Sequence, residues 1–444
     1  MLLGLRYVGA MGRRGWVGAH PGEPRGRRWG GGVVIESRDG RRVLVTGVGV
    51  VAPNGIGADQ FWAGLCRPAE PERVRRVPSF DPEEWGLSRV EARRLDRFAQ
   101  FGVAAAAQAL VDAGFLDDAT AAGPLPQLDP DRAGVLIGSG IGGAPFWENQ
   151  AGVRAQRGDR AVSPLTVPMV MPNAAAATVS MRWQLRGPCE TISTACATGT
   201  HAVGNAARWI AAGRADVVLA GGSEAALTPT NVAGYTNMRA LSSTGISRPF
   251  DVDRDGFCVA EGAAVLVLEE AGHAAARGVR GYAEIAGVGS TADAHHLTAP
   301  EPNARGALAC MRAALHDAKV SAADVTHVNA HGTSTPLNDA TEALAIRELF
   351  RAPGPAVTAV KGVTGHAQGA AGAIEAVALA LSYAHRTLPP TMGTVNVDPE
   401  FKLDVVLEPR PWEPAASISN SFGFGGHNGS LVFVPVSPDM ARAL

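Results

Sequence analysis

The first sustained apolar run is Arg42-Val43-Leu44-Val45-Thr46-Gly47-Val48-Gly49-Val50-Val51. Its β-branched residues show no helical spacing and predict a buried strand, with the glycines ending it as a turn. Helical spacing follows at 60–66 and over 96–113, the second segment Ala-rich with Phe98, Phe101 and Val103 on its apolar positions. Residues 116–131 carry Pro124, Pro126 and Pro130 and predict a loop. Short apolar runs at 133–137, 215–219 and 263–268 predict further strands, with Gly221-Gly222 ending the second of these. A strand at 326–330 and a helix at 338–349 continue the alternation, which implies an α/β fold with mixed or parallel sheets.

The pattern also echoes itself. Ala283-Glu284-Ile285-Ala286-Gly287-Val288-Gly289 repeats the form of the first strand. Ser193–Ile210, a strand end, a turn and a small-residue helix, recurs in form at Val363–Leu381. Two echoes in the same order predict a duplicated unit, with halves near 42–280 and 281–436. Residues 1–42 differ, with nine arginines against three acids. They read as a disordered extension or a misassigned start at 1–41, in preference to a transit peptide. Residues 437–444 read as a tail.

Composition narrows the classes. The chain has 444 residues, 46% hydrophobic and 18% charged, enough for a large core. A net charge of −2 gives no reason to expect a nucleic-acid partner. Without an apolar run of 18 residues, no membrane span is expected. The five cysteines, Cys66, Cys189, Cys196, Cys258 and Cys310, are scattered without CxxC spacing. That argues against a disulfide framework or a zinc site and fits a reducing cytoplasm.

Chemistry concentrates in four segments. Thr191-Ile192-Ser193-Thr194-Ala195-Cys196-Ala197-Thr198-Gly199-Thr200-His201 runs from a strand through Cys196 into a helix. Unpaired N–H groups and the helix dipole there predict a thiol pKa below its usual value. The other four cysteines read as small buried apolar residues. His331 ends a strand ahead of Gly332-Thr333-Ser334-Thr335-Pro336, and Lys361 and His366 flank Gly362-Val363-Thr364-Gly365. Glu375 follows in a helix opened by Gly369-Ala370-Ala371-Gly372. Taken singly, each histidine reads as well as a structural one; three such sites at strand-to-loop edges are harder to explain as structure. Together they suit acyl transfer to a thiolate and loss of carbon dioxide from a malonyl thioester. Two neutral imidazole N–H donors would stabilise the resulting enolate, a lysine would hold the field, and a carboxylate would balance the lysine. The fourth segment, Ile418-Ser419-Asn420-Ser421-Phe422-Gly423-Phe424-Gly425-Gly426-His427-Asn428, reads either as a hairpin with core aromatics or as a mobile gate with oxyanion donors.

Three other motifs are set aside. Gly138-Ser139-Gly140-Ile141-Gly142-Gly143 satisfies GxGxxG but lacks the helix and the distant acidic strand end of a dinucleotide site. Asp251-Val252-Asp253-Arg254-Asp255-Gly256 starts like an EF-hand, yet its twelfth position is Gly262, so it reads as a turn. His295-His296 has no third metal ligand at a suitable spacing and reads as a loop near the site.

In combination these segments, with Arg248-Pro249-Phe250-Asp251 and Arg254-Asp255-Gly256, resemble the β-ketoacyl-acyl-carrier-protein synthases, most closely the elongating type II enzymes of fatty-acid synthesis. The resemblance covers about Arg42 to Val436. It implies a thiolase-like α/β fold, two similar halves in a five-layer αβαβα arrangement, and a homodimer. It implies Cys196 as acyl acceptor, His331 and His366 as promoters of decarboxylation and condensation, and Lys361 paired with Glu375 in support. The N–H groups of Cys196 and Phe424 would form the oxyanion hole, with Phe424 also the gate. Thr333 and Thr335 would touch the phosphopantetheine arm, and Ile141 and Tyr235 match acyl-pocket positions. No metal or organic cofactor is implied, because phosphopantetheine arrives on the acyl carrier protein. Two departures stand out: His427 where threonine is frequent, and Gly362 where serine is common. The alternatives are a ketosynthase of a polyketide or other specialised pathway, a non-catalytic partner subunit, and a degradative thiolase-like enzyme. Cys196 speaks against the partner subunit and the two histidines against the degradative enzyme. For an acidic carrier, Arg73, Arg75, Arg76, Arg93, Arg94 and Arg97 are candidate docking residues, or else a solvated charged face.

Overall fold

The computed structural model describes residues 40–436; the expectations for the N-terminal extension and the C-terminal tail lie outside the described residues. The first half runs β1 (Val43–Ala52), α1 (Arg97–Asp112), β2 (Ala133–Gly138), α2 (Ala174–Trp183), β3 (Cys189–Glu190), α3 (Thr198–Ala211), β4 (Val217–Glu224) and β5 (Gly262–Glu270). The second half repeats that order with β6 (Ala283–Ala292), α4 (Arg305–Ala318), β7 (Val325–Asn329), α5 (Pro336–Leu349), β8 (Ala356–Thr358), α6 (Ala371–His385), β9 (Ala416–Gly423) and β10 (His427–Val434). Pairing repeats as well. β1–β5 and β5–β4 are antiparallel while β4–β2 and β2–β3 are parallel. β6–β10 and β10–β9 are antiparallel while β9–β7 and β7–β8 are parallel. Among the described residues, the halves pair edge to edge through Leu44 opposite Glu284 and Val45 opposite Ala283. The result is one 12-stranded sheet, counting Gly55–Ile56 beside β1 and Asp404–Val405 beside β8.

The strands are continuously apolar because both of their faces are covered. Along β5, Ala263, Val265 and Val267 pack with α1 and α2, whereas Ala264, Leu266 and Leu268 pack with α3 and α6. In the second half, Ile418 and Val432 face Met311 of α4 and Ile346 of α5, and Leu431 and Phe433 turn inward to the α3 and α6 side. The layers are therefore outer helices, sheet, central helices, sheet, outer helices. This is the duplicated five-layer α/β arrangement that the sequence pattern and the resemblance imply.

Two strand boundaries are corrected. β1 continues through Gly47 and Gly49 to Ala52, because those glycines seat a helix and do not turn the chain. A Cβ at Gly47 would lie 2.3 Å from the Ala109 carbonyl oxygen, and one at Gly49 2.0 Å from that of Ala105, both on α1. The second half uses the same device, with Gly287 and Gly289 against the carbonyls of Ala314 and Cys310 on α4. β4 likewise runs through Gly221-Gly222 to Glu224; a Cβ at Gly221 would meet the Ala264 carbonyl of β5 at 1.9 Å. Two cysteines are also corrected. Cys258 and Cys310 are buried, but Cys66, just past the helix Ala58–Leu65, and Cys189, on the short edge strand β3, are exposed. Among the described residues, no helix is long and apolar enough to cross a membrane.

The central helices fix the site. α3 and α6 approach so closely that a Cβ at Gly199 would lie 2.5 Å from the Ala373 nitrogen, and one at Gly372 2.1 Å from Thr200 Oγ1. Small residues at 195–200 and 369–373 thus bring the turn ahead of α3, which holds Cys196, against the start of α6, which carries Glu375.

Candidate active site

From β3 the chain passes through 191–194 into a single 3-10 turn, Ala195–Ala197, and then α3. Ala195 has φ +50°, in the left-handed region that residues with a Cβ seldom adopt. The Thr194 N–H donates to Thr198 Oγ1 at 2.8 Å, and Thr194 Oγ1 meets His201 Nδ1 at 2.8 Å. Gly423 packs directly on this turn: a Cβ there would lie 3.1 Å from the Cys196 nitrogen. The thiol does not have the depressed pKa that the helix N-terminus predicts. Burial pushes it up to about 11, against the backbone N–H groups of Phe424 and Cys196 and the Lys361 charge. Packing around the sulfur, with Glu375 opposing the nearby ammonium, outweighs the stabilising N–H groups.

Cys196 Sγ and one ring nitrogen each of His331 and His366 lie within 4.8 Å of one another. The two imidazoles meet edge to face with centroids 5.5 Å apart. Lys361 Nζ lies 3.1 Å from His331 Nδ1 and donates to the His331 carbonyl at 2.7 Å. It also forms a buried ion pair with Glu375, whose other oxygen accepts from Ser421 Oγ at 3.4 Å. His366 Nδ1 accepts from the Gln368 N–H at 3.2 Å. With both Nδ1 atoms facing donors, each neutral ring carries its proton on Nε2. Burial, then Lys361, holds both imidazoles well below their usual pKa, and His366 adds to this for His331. Both rings are thus neutral N–H donors at neutral pH. Burial raises Glu375 to about 7 while Lys361 pulls it back. The three converging atoms could face one metal ion. The Lys361 ammonium beside His331 and the lack of a carboxylate ligand in the set suit hydrogen-bond donation to an anionic oxygen better than binding a cation.

Sequence reasoning missed three buried carboxylates that hold the loops. Glu342, on α5, accepts the N–H groups of His331 and Gly332 at 2.8 Å each. Asp339 accepts from Ser334 N at 3.1 Å and Phe250 N at 2.8 Å. Glu224, ending β4, accepts from Ser139 Oγ, Gly140 N and Ile141 N, and also from Gly369 N beyond His366. The donors of the GxGxxG loop are therefore occupied by a protein carboxylate, which accounts for the motif without a phosphate. The signal for Asp339 and Glu342 was two acids three apart on a helix directly after the His331 loop. Asp251 binds Val395 N and Asn396 N at 2.7 and 2.9 Å, so the EF-hand-like segment is a structural turn.

A cavity of about 270 Å³ opens over these groups. Cys196, His331, His366, Thr333, Thr335, Phe424 and Tyr235 line it, as do Thr298, Ala299 and Pro300 just past His295-His296. Thr333 and Thr335 are joined hydroxyl to hydroxyl at 2.8 Å, and Thr335 caps α5. Phe424 sits in the tight 424–426 connection of the β9–β10 hairpin, so the Gly-rich segment is both a hairpin and a wall of the cavity. Ile141 is absent from the lining and is 39% exposed, because its loop is drawn to Glu224. Gly362 is required here: a Cβ would lie 1.7 Å from the Met392 carbonyl oxygen. Among the candidate docking arginines, Arg75 is buried, donating to the carbonyls of Gly362 and Val363, and Arg97 pairs with buried Glu261. Neither belongs to a docking face, whereas Arg73, Arg76, Arg93 and Arg94 are exposed.

The comparisons agree with this architecture. Residues 67–274 match the model for the β-ketoacyl synthase N-terminal domain, and residues 282–395 that for the C-terminal domain. A 3-oxoacyl-[acyl-carrier-protein] synthase 2 from Synechocystis is 40% identical over 88% of this chain and 98% of its own. One of the same name from Vibrio harveyi is 41% identical over 89% and 99%. A solved type II polyketide ketosynthase bound to the hexaketide, in complex with its acyl carrier protein, superposes with TM-score 0.80 at 31% identity, covering 89% of this chain and all of that one. By these matches and by its duplicated fold, the chain belongs to the β-ketoacyl synthase family.

Proposed function

We propose that this enzyme extends an acyl chain by two carbons through decarboxylative condensation with a malonyl thioester on an acyl carrier protein, as an elongating synthase of fatty-acid synthesis. The observation that carries the reading is the convergence of one thiol and two neutral, Nε2-protonated imidazoles on one cavity.

Cys196 takes the acyl group: its sulfur attacks the incoming thioester carbonyl, and the carrier thiol leaves with the proton. The N–H groups of Cys196 and Phe424, which face the thiol at rest, receive the oxyanion of that step. Malonyl thioester then enters past Thr333 and Thr335. As its carboxylate departs as carbon dioxide, charge collects on the thioester oxygen, where the Nε2–H groups of His331 and His366 stabilise it. The enolate carbon attacks the acyl carbonyl on Cys196, and the thiolate leaves. Lys361, neutralised by Glu375, keeps His331 unprotonated and oriented. Every group this route needs comes from the chain's own residues or from the substrates. The exposed Arg73, Arg76, Arg93 and Arg94 are the docking residues expected for an acidic carrier in the cytoplasm. Charge reversal at all four is expected to raise KM for acyl carrier at least tenfold at low salt, about 1.4 kcal/mol; unchanged KM would remove them from the docking surface. A specialised-pathway ketosynthase is a second reading, favoured by the polar pair Tyr235–Gln368 on the cavity wall.

The test is a condensation assay with acyl- and malonyl-carrier. Wild type is expected to yield β-ketoacyl product and carbon dioxide in equal amounts. Cys196→Ala should abolish product, while His331→Ala should still acylate but not condense. Product formation by Cys196→Ala would overturn the reading.

A further inference from the structure

We infer that His201 is a positioning residue for the condensing reaction: it ties the turn that carries Cys196 to the hairpin that carries Phe424, and so sets the spacing of the two N–H groups that receive the oxyanion. This rests on the condensing function proposed above and deepens it.

The two donors come from opposite halves of the chain. One belongs to the turn Ala195–Ala197 ahead of α3, the other to the connection between β9 and β10. Both face the thiol, and their spacing depends on how the hairpin docks on the turn. On the β9 side, Gly423 packs on the turn, where a Cβ would lie 2.9 Å from the Thr194 carbonyl oxygen and 3.1 Å from the Cys196 nitrogen. Ser421 Oγ also meets Thr200 Oγ1 at 2.7 Å. On the β10 side the contact is His201. Its ring is buried against Gly429, where a Cβ would lie 3.2 Å from Nε2. Nε2 lies 3.2 Å from the Asn428 carbonyl oxygen and 3.2 Å from Ser290 Oγ on β6. Nδ1 lies 2.8 Å from Thr194 Oγ1. A carbonyl oxygen only accepts, so Nε2 carries the proton and Nδ1 accepts from the Thr194 hydroxyl. Burial holds the ring below its usual pKa, which keeps this neutral form at pH 7. Thr194 is itself built into the turn, its N–H donating to Thr198 Oγ1 and its carbonyl accepting from the Ala197 N–H at 3.1 Å.

One imidazole therefore holds both sides of the oxyanion hole, one nitrogen on the turn and the other on the hairpin. Neither His201 nor Thr194 lines the cavity, so they act through the backbone and not by touching substrate. Removing an oxyanion donor outright costs about 100- to 1000-fold in rate. Without His201 the Thr200–Ser421 bond still holds the hairpin, so the expected cost is that of a misplaced donor, up to about 100-fold. The steps differ in their need for this hole. Acylation and carbon–carbon bond formation place charge on the acyl oxygen within it. Decarboxylation places charge on the malonyl thioester oxygen, which the two imidazoles of His331 and His366 receive. A misplaced hole thus slows acylation and leaves the enolate without a fast acceptor. The enolate then takes a proton, so that malonyl-carrier and one proton give acetyl-carrier and carbon dioxide.

The test compares the full chain with His201→Leu and Thr194→Val, using acyl- and malonyl-carrier. His201→Leu is expected to slow acylation of Cys196 about 10- to 100-fold at saturating acyl-carrier, with KM unchanged. When pre-acylated protein is chased with malonyl-carrier, carbon dioxide should exceed β-ketoacyl product, with acetyl-carrier making up the difference. Thr194→Val cuts the same link without disturbing the packed ring. It should show the same split, and the double variant should be no slower than His201→Leu alone. Thr194→Val decides alone where His201→Leu does not fold. Product equal to carbon dioxide in the variants, or equal losses of acylation and decarboxylation, would overturn the inference and leave the condensing function intact. Failure of the wild-type protein to acylate Cys196 would overturn both.

Discussion

Glu342 is the hidden support of the site, and Glu342→Gln isolates what it does. Its two carboxylate oxygens each accept one backbone N–H, from His331 and Gly332, at 2.8 Å. Glutamine has one accepting oxygen, so one N–H would face an NH2 group and stay unpaired. Losing a hydrogen bond to a charged acceptor costs about 1.5–3 kcal/mol. Burial raises the Glu342 carboxyl to about 7, which weakens its charge near neutral pH, so the lower half of that range, about 2 kcal/mol, applies. For a chain of this size that is a fall of about 2–3 °C in melting temperature. The catalytic cost is larger, because the displaced turn carries His331. A misplacement of about 1 Å is worth up to about 100-fold in rate. The turn carrying Cys196 makes no bond to Glu342, so the two half-reactions should separate. The assay follows acylation of Cys196 by mass and malonyl decarboxylation by carbon dioxide release. Decarboxylation should fall about 10- to 100-fold and acylation far less. Equal losses in both, or a lowered melting temperature with decarboxylation intact, would refute the support role.

The remaining predictions concern charge and packing. Because the folded thiol titrates near 11, alkylation of Cys196 should climb about tenfold per pH unit from 7 to 9; a plateau below pH 8 would mean a preformed thiolate. Because both imidazoles are held below their usual pKa, they charge only as pH falls well under 6.5. Decarboxylation should therefore stay level from pH 7.5 to 6.5, and an inflection at 6.5 would contradict neutral donors. Lys361→Met leaves Glu375 buried without its cation and should destabilise by about 3–5 kcal/mol, while adding Glu375→Leu should restore most of this in denaturant titration; no recovery would place the effect elsewhere. Gly199→Ala inserts a Cβ 2.5 Å from the Ala373 backbone nitrogen and should lower stability by about 1–3 kcal/mol and acylation with it; a neutral result would deny the close contact of the central helices.

Much of the molecule was legible because its patterns are local. The Gly-x-Gly strands announced the duplication, although their glycines seat helices α1 and α4 and do not turn the chain. Cys196, His331, Lys361, His366 and Glu375 stood out because each follows a strand end or opens a helix among small residues. What stayed hidden depends on distance. Glu224 reads as one acid at a strand end, yet it fastens loops 85 residues before it and 145 after it. Arg75 and Arg97 look like surface charge until their buried partners appear. The Cys196 pKa runs against the helix-terminus expectation because a helix N-terminus can be counted from sequence, whereas the packing around the sulfur depends on the Gly423 and Phe424 segment more than 220 residues away.

The most direct measurement is the mass of the peptide containing Cys196 after incubation with acyl-carrier thioester, followed by a chase with malonyl-carrier. The expected result is one acyl group on Cys196 and on no other cysteine, discharged in the chase as β-ketoacyl-carrier with one carbon dioxide per chain. An adduct elsewhere, or an acyl-Cys196 that malonyl-carrier leaves in place, would contradict the assignment of the thiol and the two imidazoles to one condensing site.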